Sequence, residues 1–198
     1  MVAVYTPKHF AVSDHEELLR FVRNNAFGQL TSSCNNRPEA SHLPFLVAQG
    51  GERLLCHLAR QNPQLNTIDG QQVLVIFSGP HAYISPRWYT SPGVPTWNYQ
   101  TVHVYGVART FTDDERLMSL VNELSEKYEA GADAPWRPEY SPKLLRAIVG
   151  VEIEITEMQG TYKLSQNRPQ QDRQQVVDAL TAEGEIAMAQ AMQRWNNA

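Results

Sequence analysis

Short apolar runs with two-residue alternation recur along the chain and are separated by polar, turn-forming pieces. This pattern is typical of antiparallel strands joined by hairpins. The predicted strands cover residues 27–33, 40–48, 53–58, 72–78, 81–85, 101–111 and 151–156. Gly79-Pro80 separates the fourth strand from the fifth, and Pro44 inside the second favours an edge position or a bulge.

Apolar residues recur at helical spacing in other parts of the chain. Two capping boxes, Ser13–Glu16 and Thr112–Glu115, predict one helix that ends near Asn25 and another that reaches Tyr128. Asn62-Pro63 predicts a turn or a short helix, and Ser141-Pro142 predicts a short helix to Ile148. The segment 131–142 has the composition of a loop.

The order of these elements predicts a mainly β fold with helices at the start, middle and end, which is the pattern of a small antiparallel barrel decorated by helices. After Arg168-Pro169 helix-forming residues dominate, with a break near Gly184. We therefore predict a barrel domain over residues 1–168 and a C-terminal helical extension over 169–198.

Composition and charge narrow the function. The chain has 198 residues, a formal net charge of −4 and a pI near 5.9, so direct binding to nucleic acid is not expected. No apolar run approaches the roughly 20 residues that span a bilayer, and the N-terminus lacks a signal-peptide pattern. Cys34 and Cys56 have no C-x-x-C partner and are expected to be reduced thiols. These features predict a cytoplasmic protein that neither spans a membrane nor is secreted.

The segment Ile84–Tyr99 contains two tryptophans, two tyrosines and three prolines in sixteen residues. Each ring carries roughly 150–250 Å² of surface that favours burial. One interpretation is a proline-stiffened lid over the end of the barrel itself. The other is a surface that covers a planar ligand or a second subunit.

Two polar segments are candidates for ligand contacts. His57–Pro63 ends a strand and enters a predicted short helix, where Arg60 and exposed backbone amides suit a phosphate. An isolated arginine, however, more often pairs with a surface carboxylate. Lys163–Arg168 follows the last strand and offers hydrogen-bond donors that suit the carbonyl-rich edge of a heterocycle, or that simply face solvent.

Other kinds of site lack a pattern in this sequence. The histidines at positions 9, 15, 42, 57, 81 and 103 form no tight ligand pair, so we expect no metal centre built by the protein. The sequence contains no Gly-x-Ser-x-Gly elbow and no Walker or Rossmann phosphate loop. No catalytic residue can be assigned from these patterns.

Six motifs in order resemble the PaiB family across nearly the whole chain. They are Tyr5–Phe10, Ser41–Phe45, His57–Pro63, Gly79–Tyr89, Val94–Tyr99 and Lys163–Arg168. Members of that family are described as FMN-binding negative transcriptional regulators, and their fold is similar to the split barrel of pyridoxamine-phosphate oxidases. The resemblance implies a six-stranded antiparallel FMN-binding split barrel decorated by helices.

The resemblance also implies a homodimer with FMN sites at the subunit interface. One subunit is expected to contact flavin and phosphate through Ser41, His42, Leu43, Pro44, His57, Leu58, Ala59, Arg60 and Asn62. The other is expected to contribute Ser85, Trp88, Tyr89, Lys163 and Gln166. Arg60 is the main expected cationic contact.

Three functions fit these residues. The first is a flavin-dependent or small-molecule-responsive regulatory module, which the family description implies. The second is an FMN-dependent oxidoreductase like the pyridoxamine-phosphate oxidases or flavin reductases, because bound flavin carries hydride and single-electron chemistry. The third is a haem-binding split barrel with His42 or His57 as the axial ligand.

Overall fold

The structure, a computed structural model, describes residues 4–131, 134, 136 and 140–196. The chain divides into two compact units. Unit 1 contains the chain up to Asp14, Ser78–Val102 and the chain from Gln159, whereas unit 2 contains His15–Phe77 and His103–Met158. Parts of the predicted loop over 131–142 and the last two residues of the predicted extension lie outside the described residues.

The described residues form eight strands and five α-helices. In chain order they are β1 (Ala11–Val12), α1 (His15–Asn24), β2 (Phe27–Cys34), β3 (Arg37–Pro44), β4 (Leu46–Val47), β5 (Arg53–Ala59), β6 (Gln72–Ile84), β7 (Thr96–Phe111), α2 (Asp114–Glu129), α3 (Pro142–Leu145), β8 (Ile148–Lys163), α4 (Gln170–Ala182) and α5 (Ile186–Asn196). Three short 3-10 helices cover Lys8–Phe10, Pro63–Asn66 and Pro86–Trp88.

The strands form one sheet with the order β3-β2-β6-β7-β8-β5-β4, and β1 pairs with β8. The pairs β1–β8, β2–β3, β2–β6, β4–β5 and β5–β8 are antiparallel. Leu30 lies opposite Ser41, and His57 lies opposite Gly150. β3 is at one end of this order, so the motif Ser41–Pro44 lies on an edge strand, as Pro44 predicts.

The core of unit 2 follows from alternation along β5. Leu54, Cys56 and Leu58 are fully buried on one face, and Leu55 and His57 point to the opposite face. Helix α2 covers that opposite face with the side chains of its apolar stripe. Leu120 and Leu124 cluster with Leu46, and Leu55 and Phe111 pack against them. Residue 57 is therefore on the side of β5 that faces α2.

In unit 1 the two C-terminal helices pack onto strand residues. Val176, Val177 and Leu180 of α4 and Met188 and Met192 of α5 are buried. Trp195 makes an edge-to-face contact with the fully buried Tyr162, with ring centroids 4.9 Å apart. The helices are thus part of a packed unit, and the boundary at residue 168 stays a prediction.

Most predicted elements are present at the predicted places. Helices α1 and α2, the short helix after Asn62 and the break at Gly184, which has a φ of 84°, agree with the sequence patterns. Pro142 is the first residue of α3. Within the described ranges, none of the helices combines the length and the apolar character needed to cross a membrane.

Two predicted interruptions are wrong. Gly79-Pro80 does not divide a strand, because β6 continues from Gln72 to Ile84. Proline's fixed φ is compatible with extended backbone and removes only one donor, so it need not end a strand. β7 starts at Thr96 rather than at residue 101, so the end of the aromatic segment is strand and not loop.

Other boundaries also differ from the predicted ones. The predicted strand 40–48 is divided into β3 and β4, and β3 already starts at Arg37 because the hairpin turn is confined to Asn35 and Asn36, with φ values of 50° and 63°. Asp113 rather than Thr112 caps α2. Helix α3 ends at Leu145, and β8 is far longer than the predicted 151–156.

Candidate functional site

A network of polar side chains joins two of the predicted ligand-binding motifs in unit 2. Asn62 Nδ2 donates to Ser41 Oγ at 3.0 Å, and Ser41 Oγ donates to Gln64 Oε1 at 2.7 Å. The Oδ1 atom of Asn62 accepts a 3.0 Å hydrogen bond from the amide of Gln64 and so caps the short helix. The network fixes the segment after β5 against β3.

Gln64 holds this network to the core. Its side chain is buried, and Nε2 donates to Ser32 Oγ at 2.8 Å and to the carbonyl of Leu30 at 3.2 Å. Buried amides are costly unless their hydrogen bonds are satisfied, so these bonds define the position of the loop.

Arg60 lies at the end of β5 and is exposed. Its Nε donates to the carbonyl of Arg146 at 2.5 Å, and its Nη2 donates to the carbonyl of Ile148 at 3.2 Å. A guanidinium has five N–H donors, so donors are left for an anion after these two bonds. No ion pair to Arg60 is formed by the described residues. The alternative interpretation, in which Arg60 pairs with a surface carboxylate, therefore finds no such carboxylate among the described residues.

A cavity of about 420 Å³ lies beside these segments in unit 2. Its volume is within the range of small-molecule sites, about 300–1,000 Å³. The walls come from strand ends, from α2 and α3, and from Trp136 and Tyr140. The lining residues are Pro44, His57, Val121, Leu124, Ser125, Tyr128, Glu129, Trp136, Tyr140, Leu144, Leu145 and Ile148. Most of these side chains are apolar or aromatic, which suits a planar apolar ligand.

Polar groups in this cavity are few. Ser125 Oγ and Tyr140 Oη are hydrogen-bonded to each other at 2.8 Å, and Ser125 also donates to the carbonyl of Val121. The buried Nδ1 of His57 has no hydrogen-bond partner among the described residues. Burial lowers the pKa of His57, so its ring is neutral at neutral pH and offers a donor or an acceptor to a ligand.

The aromatic segment in unit 1 begins with a short capped helix. Ser85 is buried, and its Oγ accepts from the amide of Arg87 at 3.3 Å and from Arg87 Nε at 3.2 Å. Trp88 and Tyr89 are half-buried. Tyr89 is covered by the guanidinium of Arg168, whose Cζ lies 4.3 Å from the ring centroid.

Lys163 and Gln166 have different surroundings in unit 1. Lys163 Nζ donates to Thr96 Oγ1 and, at 2.7 Å, to the carbonyl of Trp97. Gln166 turns back on its own loop, because it accepts from the amide of Leu164 at 2.7 Å and donates to the carbonyl of Tyr162. Its amide therefore stabilises the turn that follows β8.

The predicted residues thus meet in groups. In unit 2, Ser41 contacts Asn62, and Pro44 and His57 line one cavity. In unit 1, Tyr89 and Lys163 line another. The remaining residues of unit 2 are differently exposed: His42 is exposed and stacks with Phe27 at 6.4 Å, Leu43 is half-buried, Ala59 is exposed and Leu58 is in the core. A ligand contact from Leu58 is therefore limited to its backbone.

Residues with a direct part in these arrangements were not among the predicted ones. Gln64 has no sequence signal beyond its place in the turn after Asn62-Pro63. The side chains that α2 presents to the cavity have the spacing of an ordinary apolar stripe. Arg168 ends a motif that the sequence did single out, but its stacking on Tyr89 and its hydrogen bond to the carbonyl of Pro92 are seen only in the structure.

The sequence of this chain matches a described protein family and a curated relative. Residues 4–157 match the family described as "Putative FMN-binding domain". The chain is 42% identical over 189 residues to "Protease synthase and sporulation protein PAI 2" of Bacillus subtilis (strain 168), which covers 91% of this chain and 90% of that protein.

Two solved structures have a similar fold. The flavocytochrome Anf3 from Azotobacter vinelandii has a TM-score of 0.65 and 16% identity, covering 80% of this chain and 72% of that one. The FAD and heme binding protein from Mycobacterium smegmatis has a TM-score of 0.63 and 15% identity, covering 77% and 73%. The predicted fold class, a mainly β split barrel decorated by helices, is confirmed, with eight strands in the sheet rather than six.

Proposed function

Because this chain belongs to the PaiB family, whose shared domain is described as "Putative FMN-binding domain", we propose that it binds FMN at the unit 2 cavity. The observation that carries the proposal is the bond from Arg60 to the carbonyl of Ile148, a residue that lines this cavity. A cation with donors to spare thus lies beside a mostly apolar space of suitable volume.

Different residues suit the ring and the phosphate of FMN. The apolar and aromatic walls suit a flavin ring, and His57 offers one polar contact to it. A phosphate suits Arg60, because charge-assisted bonds from a guanidinium fork are the strong ones. Ser41 and Asn62 hold the intervening loop in place through their bonds with Gln64. We further propose contacts from His42, Leu43, Ala59 and the backbone of Leu58.

We also propose that the protein is a homodimer and that a second subunit completes the site. Ser85, Trp88, Tyr89, Lys163 and Gln166 of that subunit are the proposed contacts. Support comes from the exposed aromatic surface of unit 1, where Trp97 is 54% exposed and Tyr83 is 45% exposed. Exposed aromatic clusters of this kind mark surfaces that bind a partner.

Bound flavin supplies hydride and single-electron chemistry, which a regulator can use as a redox signal. The role we propose is a cytoplasmic, flavin-dependent or small-molecule-responsive regulatory module. The net charge of −4 favours action through a partner or a small molecule over direct contact with DNA.

The proposal is tested by comparing FMN with riboflavin, which has the same ring and no phosphate. The purified protein should bind both, and Arg60→Gln should weaken FMN binding about tenfold or more with little effect on riboflavin. Titration followed by flavin fluorescence measures both affinities. Arg37→Gln, the same charge change at an exposed position of β3, is the control and should behave as wild type.

The cavity itself is tested from an exposed position. Leu144 lines the cavity and is 57% exposed, so Leu144→Trp should narrow the space without disturbing the core. We expect weaker binding of FMN and riboflavin alike. Ile186→Trp, an exposed site on α5, is the control. A protein that takes up neither flavin would overturn the proposal.

An FMN-dependent oxidoreductase is the second candidate function. The neutral imidazole of His57 in a mostly apolar cavity favours it, since such a group can orient a substrate or hold a proton next to a ring. The test is anaerobic addition of NADH, NADPH or pyridoxamine phosphate to the flavin-loaded protein. Loss of flavin absorbance with wild type, and slower loss with His57→Phe, would support an enzyme.

A haem-binding barrel is the third candidate. One neighbour in fold is a flavocytochrome and another is an FAD and heme binding protein, and His57 lines a mostly apolar cavity whereas His42 is exposed. If haem binds, the Soret band of added haem should sharpen and shift with wild type and with His42→Ala but not with His57→Ala. An unchanged spectrum of added haem with wild type would reject this candidate.

A further inference from the structure

A second, smaller cavity lies within unit 1 and has a volume of about 140 Å³. Its polar lining consists of Thr96, Asn98, Lys163, Ser165, Asn167 and Arg168. Tyr89 and Phe10 contribute aromatic walls. A space of this size holds several water molecules or a group of about five heavy atoms. It therefore suits one small group and is too small for a flavin ring.

The lining carries positive charge without compensation. Lys163 and Arg168 both line the cavity, and the described lining residues include no aspartate or glutamate. Lys163 donates to Thr96 Oγ1 and to the carbonyl of Trp97, and Arg168 Nη1 donates to the carbonyl of Pro92 at 2.9 Å. All three acceptors are neutral. Neither cation has an ion-pair partner among the described residues.

The acidic residue that follows these cations in the chain is already engaged. Asp172 accepts from the amide of Thr90 at 2.8 Å, from Thr90 Oγ1 at 2.6 Å and from Ser91 Oγ. Its carboxylate is buried in these contacts and does not line the cavity. Burial, and after it the charge of Arg168, lower the pKa of Lys163. Two like charges at one small cavity favour an anion between them.

Both cations are held in position by the fold. The guanidinium of Arg168 stacks on Tyr89, and its backbone amide donates to the carbonyl of Ser165 at 2.9 Å, which closes a turn. Ser165 has a φ of 64°, a left-handed conformation that is uncommon outside glycine. Its buried Oγ accepts from Asn98 Nδ2 at 2.9 Å. The turn brings Arg168 back beside Lys163, so little ordering is needed when a ligand arrives.

We propose that this cavity binds a small oxyanion, a phosphate or carboxylate group, between Lys163 and Arg168. The arginine offers a fork that matches two oxygens, and the lysine offers a point charge. Thr96 and Asn167 add neutral donors. Lys163 and Tyr89 are also proposed contacts to the flavin of a second subunit. The oxyanion site goes beyond that function, because its cavity shares no lining residue with the flavin cavity in unit 2.

Inorganic phosphate is the direct probe. Isothermal titration of the flavin-free protein with phosphate, at an ionic strength held constant with sodium chloride, should show saturable binding to wild type. Lys163→Gln and Arg168→Gln should each weaken binding about tenfold or more, as expected for loss of a charge-assisted contact. Arg194→Gln removes an exposed cation from α5 and should bind as wild type.

Two further variants test the site even if one of the glutamine variants fails to fold. Arg168→Lys keeps the charge but not the fork, so its affinity should be intermediate. Asn167→Asp adds a negative charge to an exposed lining position and should weaken phosphate binding without removing either cation. Melting temperatures in chloride establish that each variant folds. No binding to wild type, or equal binding to the folded variants, overturns the proposal.

The oxyanion has two possible sources, the phosphate of FMN or a separate phosphorylated or carboxylated molecule. If FMN supplies it, phosphate should compete with FMN, and Arg168→Gln should weaken FMN but not riboflavin. If a separate molecule supplies it, phosphate should bind equally well to the FMN-loaded protein. Failure of flavin binding with intact phosphate binding would overturn the proposed function and leave this site standing.

Discussion

Asp172 shows how one buried carboxylate can join a loop to a helix. It lies in the first turn of α4 and accepts hydrogen bonds from the backbone and side chain of Thr90 and from the side chain of Ser91. The bond from Ser91 and those from Thr90 lower the pKa of Asp172 to about 2. The charged form is therefore the one that holds the aromatic segment to α4.

The first prediction concerns acid stability. Because the pKa of Asp172 is lower in the folded chain than its ordinary value of 3.8, its contribution is fully present above pH 3.8 and is lost as the pH falls through about 2. Asp172→Asn should lower the melting temperature at pH 7. Between pH 4 and pH 2 the melting temperature of the variant should fall less steeply than that of wild type. Calorimetry measures both effects, and Asp178→Asn on the exposed side of α4 should change neither.

His57 is the residue for the second prediction. A buried polar atom without a partner costs about 1–3 kcal/mol, so His57→Phe should keep or raise the melting temperature while flavin binding falls. His103 is the matched control, because its Nδ1 is also buried without a partner but it does not line the cavity. His103→Phe should have the same effect on stability and leave binding unchanged. A marked loss of stability in His57→Phe would instead indicate a structural role.

Among the secondary-structure elements, helix α2 forms one wall of the larger cavity, so the shape of that cavity depends on the stability of the helix. Its N-terminus is capped by Asp113, whose side chain accepts from the amide of Arg116 at 2.9 Å. Asp114 and Glu115 follow in the first turn, where negative charge favours the helix dipole. The four apolar residues Leu117, Leu120, Val121 and Leu124 then bury one face of the helix.

The third prediction compares two neighbouring residues at this cap. Asp113→Ala should cost about 1 kcal/mol, because it leaves a helix amide without its acceptor. Thr112→Ala should be nearly neutral, since Thr112 lies one residue before the observed cap. Chemical denaturation measures both changes. Equal losses in the two variants would contradict the assignment of Asp113.

At the scale of the whole molecule, a group of aromatic side chains stays exposed to solvent in the single chain. Tyr83 and Trp97 are in edge-to-face contact with centroids 6.1 Å apart, and His81 lies 6.4 Å from Trp97. All three belong to unit 1 and are exposed. A second copy of the chain would remove this apolar surface from water.

The fourth prediction follows from that surface. Light scattering after size exclusion should give about twice the chain mass of 22.4 kDa for wild type. Trp97→Ser should shift the protein towards the monomer, since aromatic side chains carry much of the energy of interfaces. Tyr5→Ser, at a 91% exposed position, should leave the dimer intact. A wild-type protein of single-chain mass at high concentration would remove the basis for the shared flavin site.

Local signals explain why most elements could be predicted from the sequence. Capping residues, helical spacing and two-residue alternation act within a few positions, so α1, α2, β2 and β5 are found almost where the patterns place them. Gly79-Pro80 misled for the same reason. A proline is a local signal for a break. Whether the strand actually ends there depends on the neighbours of that strand, and β6 continues through Gly79-Pro80.

The sequence by itself determined the class of fold, the family and the segments that carry polar and aromatic side chains, because these follow from residue type and short-range order. Only the tertiary structure decided which side chains meet. Ser41 and Asn62 share a network with Gln64, His57 faces α2 across an apolar cavity, and Arg168 returns over Tyr89 beside Lys163. These contacts depend on strand register and on local turns such as that at Ser165, because register and turns together determine which residues distant in the chain come into contact.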